Sequence, residues 1–128
     1  MHDYLGKVSK QLWGWNIRTE GVFTGGYYTA LTFGHPCIFL PIGKYSYVWA
    51  EEDVYSKVYG LYDRFNFAVD KEEDEIKEEI RKLYTKYKTK GIDKYYIKFF
   101  ESIFKCDEYY LINLSYWEEF KTEILGWK

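Results

Sequence analysis

The sequence predicts an α+β domain with a largely antiparallel sheet flanked by helices, and three observations carry that prediction. Apolar, β-rich runs come in two pairs, residues 37–42 with 45–50 and residues 102–106 with 109–114, each pair separated by only two residues, the spacing of a tight hairpin. Between the pairs, Ile76, Ile80, Leu83, Tyr84 and Tyr87 recur at helical intervals. The resulting order is helix, strand, short helix, hairpin, two or three helices, hairpin, helix, and it contains no internal repeat or low-complexity linker.

Taken in order, Tyr4, Leu5, Val8 and Leu12 share one face of a helix over residues 3–13 that Gly14 ends, with Trp13 and Trp15 extending its apolar surface. Residues 16–23 read as a short strand entering Thr24-Gly25-Gly26, where paired glycines admit backbone angles that other residues resist. A two-turn helix over residues 27–33 is expected next, closed by Gly34 ahead of His35-Pro36. The first hairpin turns at Gly43-Lys44, and Pro41 marks its first arm as an edge or a bulge. Residues 51–62 are expected to be helical: Glu51, Glu52 and Asp53 open them, and Val54, Val58 and Leu61 follow at helical spacing.

Residues 70–90 give the clearest helix, because acids crowd its first half and bases its second, as the helix dipole prefers. Its charged side reads as a solvated face. Gly91 stops it, and Asp93 is placed to cap a short helix carrying Tyr96, Ile97, Phe99 and Phe100. The second hairpin turns at Asp107-Glu108, and neither of its arms contains a proline, so it takes a central place in the sheet. Ser115-Tyr116-Trp117-Glu118 has capping-box spacing and predicts a closing helix to Leu125.

A chain of 128 residues forms one domain, residues 1–128, with a single core. At 47% hydrophobic and 30% charged residues it is globular, and the unusual quantity is its 23% aromatic content, 15 of those residues being tyrosines. Tyrosine suits half-buried surfaces, where the ring packs while the hydroxyl stays wet, and it is favoured at interfaces. A net charge of −2, with bases interleaved among acids, gives no general attraction to nucleic acid or to an anionic membrane. Cys37 and Cys106 form no C-x-x-C and read as buried free thiols of a reducing compartment. The start of the chain lacks an apolar signal region, and no run approaches the ~20 apolar residues of a membrane span. The expected location is the cytoplasm.

Metal chemistry is not expected, since His2 and His35 are the two histidines and no H-E-x-x-H occurs. Cys37 follows His35 by two residues, a spacing that does not bring a thiol and an imidazole into hydrogen-bond geometry on a strand. No G-x-x-x-x-G-K-S/T loop is present, which excludes phosphoryl transfer by a P-loop. Glu119-Phe120-Lys121 matches a nuclease-like E-x-K, but on an expected helix, where such a triplet is common by chance.

The remaining segments have a pattern of their own. Arg18-Thr19-Glu20-Gly21-Val22-Phe23 matches R-S/T-x-G-x-F, and an expected short helix then ends at Phe33-Gly34. Pro41-Ile42-Gly43-Lys44-Tyr45 matches P-x-G-x-F/Y, and the stretch from Glu101 through Cys106 to Tyr109-Tyr110 matches E-I-M-I-x-C-x-x-Y-Y at its leading glutamate, its cysteine and its tyrosine pair. Over residues 12–50 and 95–114 the chain resembles small bacteriophage proteins with an ADP-ribosyltransferase-like pattern.

That resemblance implies a split antiparallel sheet gripping NAD in its cleft. It makes Glu101 the acid that polarises the ribose and opposes the cationic charge of the transition state, as carboxylates do in glycoside cleavage. Thr24 would steady that glutamate or the ribose. Cofactor binding falls to Arg18, Gly25, Gly26, Tyr27 and Phe33: the glycines let the backbone approach the dinucleotide, and Tyr27 or Phe33 packs the nicotinamide. The family carries its phosphate-binding arginine on a strand ahead of this region, without counterpart here, and Arg18 or Arg64 would have to substitute, though neither sits where the pattern places it. The implied functions are an active NAD-dependent ADP-ribosyltransferase, or a silent relative that binds a nucleotide or a host protein in the host cytoplasm. Small size, acidic pI and tyrosine excess add a non-enzymatic alternative, an anti-defence protein that inhibits a host factor through an aromatic-rich surface. Self-association is left open.

Overall fold

The computed structural model of the chain describes residues 2–25, 35–67, 69–91 and 100–127. The helices expected over residues 27–33 and from Asp93 onward, and the candidates Gly26, Tyr27 and Phe33, lie outside the described residues. Helix α1 (His2–Trp13), a single turn α2 (Ile17–Glu20), strand β1 (Val22–Gly25) and strand β2 (Cys37–Ala50) come first. Helices α3 (Val54–Phe65) and α4 (Asp70–Tyr84) and strand β3 (Glu101–Asn113) follow, and after a 3-10 turn over Leu114–Tyr116 comes helix α5 (Trp117–Glu123). The strands form one antiparallel sheet in the order β1-β3-β2, so the last strand is the central one. The class is α+β, as the sequence predicts.

Neither expected hairpin forms. Each is one continuous strand, and the two pair with each other from Cys37 opposite Asn113 to Ala50 opposite Glu101. Asp107-Glu108 lacks the glycine or asparagine that a two-residue turn requires, and on an exposed stretch of ribbon two carboxylates sit in a strand at little cost. Gly43-Lys44 makes a bulge instead of a turn: the register passes from Ile42 opposite Glu108 to Tyr45 opposite Cys106, one residue more on β2, with Gly43 at φ +76°. Pro41 lies on β2, an edge strand, where its missing N–H leaves no gap in a central ladder.

A bulge bends the strand that carries it, and here the bend is large. Phe39 pairs with Leu111, yet its ring centroid lies 5.2 Å from that of Phe104. Straight strand between residues 104 and 111 would span roughly 23 Å. The β2/β3 ribbon is therefore strongly bent between its outer and inner halves.

The core sits on the inner half. Val48, Ala50 and Ile103 of the sheet meet Leu5 and Val8 of α1, Trp15, Ile17 of α2, Val54 and Val58 of α3, and Ile76, Ile80 and Tyr84 of α4, with Tyr87 just beyond it. The stripe predicted for α4 is thus the stripe that is buried. The helix stops at Tyr84 and not near Lys90, because the following residues leave it for the sheet: Trp49 and Lys88 exchange both backbone hydrogen bonds, at 2.9 and 2.7 Å. Lys86 and Lys88 pair with Glu52 and Glu51, fixing the same junction.

Residues 16–23 divide differently from the expectation. Asn16 caps α2 by accepting from the Arg18 N–H at 3.1 Å, and the Glu20 carboxylate accepts from the Asn16 N–H at 2.6 Å, so a helical turn precedes the strand. Gly21 links the two where the chain presses on the core: a Cβ there would stand 2.2 Å from Ile103 Cγ2 and 2.7 Å from the Ile17 carbonyl oxygen. At the other end, the capping box expected at Ser115 does not form. Asn113 caps the 3-10 turn instead, and α5 opens at Tyr116 without a side-chain cap.

Cys37 and Cys106 are free thiols but not buried ones. Both sit on the outer ribbon, Cys37 at its tip and Cys106 beside the bulge, where the core does not reach. Among the described residues no helix is long and apolar enough to cross a membrane.

Candidate functional site

Glu101 opens β3 on the core side of the sheet, between Gly25 of β1 and Ala50 of β2. Its side chain is 6% exposed, and two elements enclose it. One carboxylate oxygen accepts from the Tyr55 N–H at 3.0 Å, in the first turn of α3, and the Val54 N–H supports the same charge. The other accepts from the Tyr87 hydroxyl at 2.9 Å. Asp53, the residue before α3, takes the Ser56 N–H at 3.0 Å, so two carboxylates share the unpaired N–H groups of one helix start.

Burial drives the Glu101 pKa upward, and the hydrogen bonds from Tyr55, Tyr87 and Val54 pull against it. Tyr87 is raised too, first by burial and then by the carboxylate it faces, so it remains a hydroxyl donor. Tyr84, beside it, is pushed up to about 12 by burial.

The other candidates are placed as follows. Successive side chains alternate across a strand, so Thr24, opposite Ser102, faces away from Glu101. Its hydroxyl bonds the Ser102 hydroxyl, on the side of the sheet where the Trp49 indole donates to the Lys90 carbonyl oxygen at 2.7 Å. The expected contact between Thr24 and Glu101 is not made. Gly25 does sit opposite Glu101 in the ladder. Arg64 lies on the surface, 4.0 Å from Glu79.

Arg18 comes close to the glutamate's surroundings. It lines a cleft with Ile17, Phe23, Tyr55, Tyr59 and Tyr87, and its guanidinium carbon stands 5.7 Å from the centre of the Tyr62 ring. The cleft has an open volume of about 10 Å³, room for about one water. Pockets for small organic ligands run to roughly 300–1,000 Å³. Compared with protein-family models, curated proteins and solved structures, the chain matches none.

Sequence reasoning missed the residues that surround Glu101. Tyr87 was legible only as a member of a helical stripe. Tyr55, Tyr59 and Tyr62 do carry a signal, since they follow one another at helical intervals along α3 on the flank beside Val54 and Val58.

A second feature lies at the far end of the ribbon. Phe39 and Leu111 are directly opposed, as are Pro41 and Tyr109, so these four share one face of its outer half. The Phe39 and Tyr109 rings touch at 4.9 Å, and Leu111 is 63% exposed. On the neighbouring strand position, Tyr110 packs edge-on against Phe120 of α5, which stacks with Trp117. Around that helix Tyr116 and Ile124 are each 62% exposed and Trp127 50%. Because successive residues alternate across a strand, Leu111 lies on one face of the ribbon and the Tyr110–α5 cluster on the other.

Proposed function

We propose that this is a small binding protein of phage or mobile-element type, with an ADP-ribosyltransferase-like core but no transfer activity, that docks on a host protein through the outer β2/β3 ribbon and α5. The observation that carries the reading is the set of large apolar side chains exposed at this end of the molecule, Tyr116, Ile124 and Trp127 around α5 and Leu111 on the opposite face of the ribbon. The surroundings of Glu101 support its silent side: both carboxylate oxygens serve α3 and Tyr87, Thr24 turns away, and the adjoining cleft is too small for a dinucleotide. A carboxylate that must oppose a developing positive charge has to face the reacting sugar.

Affinity capture from host extract, comparing the wild type with Leu111→Asp, tests this directly, alongside incubation with labelled NAD for the wild type and Glu101→Gln. The expected result is a stoichiometric protein partner that Leu111→Asp loses, with NAD intact throughout. Capture that ignores Leu111→Asp overturns the docking surface. Cleavage of NAD that Glu101→Gln abolishes establishes the active transferase instead.

A further inference from the structure

Helix α1 and the segment that follows it frame a hollow of about 540 Å³, within the roughly 300–1,000 Å³ of small-ligand sites. Asp3, Gly6, Lys7, Lys10 and Gln11 of the helix line it on one side and Asn16 on the other. The returning segment is pinned in place. The buried Ser9 hydroxyl donates to the Trp15 carbonyl at 2.7 Å and accepts from the Ile17 N–H at 2.9 Å, which leaves Asn16 between them, lying against α1 at Gly6. Glycine is unfavourable inside a helix, and here it makes room: a Cβ on Gly6 would stand 2.7 Å from Asn16 Nδ2.

We propose that this hollow binds a phosphorylated sugar. The donors it gathers point to the phosphate. The Asn16 Oδ1 accepts from the Arg18 N–H at 3.1 Å and the Gln11 Oε1 from the Arg81 guanidinium at 2.9 Å, so each amide has its oxygen engaged and its NH2 left over. Neither NH2 has an acceptor among the described residues. The ion pairs of the described residues join Lys57, Arg64, Lys86, Lys88, Lys105 and Lys121 to carboxylates, and none includes Lys7 or Lys10. Glu20 feels the Lys10 charge, but its carboxylate is held by the Asn16 N–H and Lys105. Two ammonium groups and two amide NH2 groups thus line one hollow, a donor set that answers the charge and the acceptor oxygens of a phosphomonoester.

The sugar follows from the rest of the lining. Asp3 is the carboxylate of the hollow, exposed and in no ion pair among the described residues, and beside a bound anion it is favourable only where it accepts from hydroxyls. No aromatic side chain lines the hollow, so a nucleobase would find nothing to stack on. None of these residues belongs to the outer ribbon or α5, and the site stands independently of the docking surface proposed above.

The test titrates the labelled full chain with glucose 6-phosphate, glucose, inorganic phosphate and adenosine monophosphate, read by NMR shifts of the Asn16 and Gln11 NH2 groups. Saturable binding of glucose 6-phosphate is expected, about tenfold tighter than that of glucose or inorganic phosphate. Lys7→Gln, Lys10→Gln and Asn16→Asp should each weaken it on the order of tenfold. Asn16→Asp keeps the oxygen that caps α2 and removes the NH2, so its effect reads the lost donor and the added charge with the cap intact. Lys90→Gln, which removes an exposed lysine outside the hollow, should leave binding unchanged, and Asp3→Ala should narrow the preference over inorganic phosphate. No shift of these amides up to about 10 mM glucose 6-phosphate, an affinity no better than that of inorganic phosphate, tighter binding of adenosine monophosphate, or an equal loss with Lys90→Gln overturns the proposal.

Discussion

Glu101 illustrates how one carboxylate reads differently in sequence and in structure. At the head of a β-rich run it looks like a group presented to a cleft; in the fold its two oxygens hold the start of α3 and the Tyr87 hydroxyl together behind the sheet. Its partners lie 46 and 14 residues away, and no local pattern encodes contacts at such separations. Because burial raises its pKa above the ordinary 4.5, the folded state holds the proton more tightly than the unfolded chain does. Its contribution to stability is therefore complete below 4.5 and falls away as pH rises through the raised value. Glutamine keeps an oxygen for the Tyr55 N–H and can donate its amide to Tyr87, and it never ionises. Urea unfolding between about pH 4 and about pH 8 is thus expected to show Glu101→Gln gaining on the wild type as pH rises. Glu101→Ala, which leaves the Tyr55 N–H and the Tyr87 hydroxyl without a partner, loses about 2–4 kcal/mol at the acid end of that range, and the loss narrows as pH rises. A wild type that gains on the glutamine variant with rising pH would show that the ionised carboxylate is favoured in the fold, contrary to this account.

Among the elements, the bulge at Gly43 decides the shape of the ribbon. A left-handed backbone costs residues with a side chain about 1–2 kcal/mol, so Gly43→Ala is expected to loosen the outer ribbon, and Gly43→Asn to do so less. Amide exchange reads this locally: protection should fall at Leu40 and Ile112, beyond the bulge, and hold at Val48 and Ile103 in the core. An equal fall at both places would mean that the ribbon opens only with the whole molecule. This element also marks the limit of what the sequence revealed. Helices α1 and α3 and the buried stripe of α4 were legible, because amphipathic spacing and terminal residues are local properties. The two polar pairs at Gly43-Lys44 and Asp107-Glu108 were not, because a polar dipeptide between apolar runs marks a turn only if the chain reverses there. Here the partner that keeps each strand continuous through its polar pair is the other strand, more than fifty residues away. Arg18 lines the cleft beside Glu101, whereas the turn of Thr24 away from Glu101 depends on its register against Ser102, a one-residue matter that sequence leaves open.

At the scale of the whole molecule, the central core and the docking surface proposed for the ribbon and α5 occupy different ends. Every member of the central cluster, from Leu5 to Ile103, precedes the outer half of β3, and α5 packs on that outer half through Tyr110 and Phe120. Among the described residues beyond Asn113 none is buried, although Trp117, Phe120, Lys121 and Leu125 are partly covered. Removing residues 114–128 is therefore expected to cost much less than opening a cavity in the core. Ile80, fully buried on α4, gives the comparison: Ile80→Ala should lose about 2–5 kcal/mol in equilibrium urea unfolding, and the truncated chain should still unfold in one cooperative transition with a smaller loss. The truncation should at the same time abolish capture of the partner proposed for the ribbon, since it removes Tyr116, Ile124 and Trp127 together. A truncated chain as unstable as Ile80→Ala would place α5 within the cooperative core, and its exposed aromatic residues would then have to be explained by folding and not by docking.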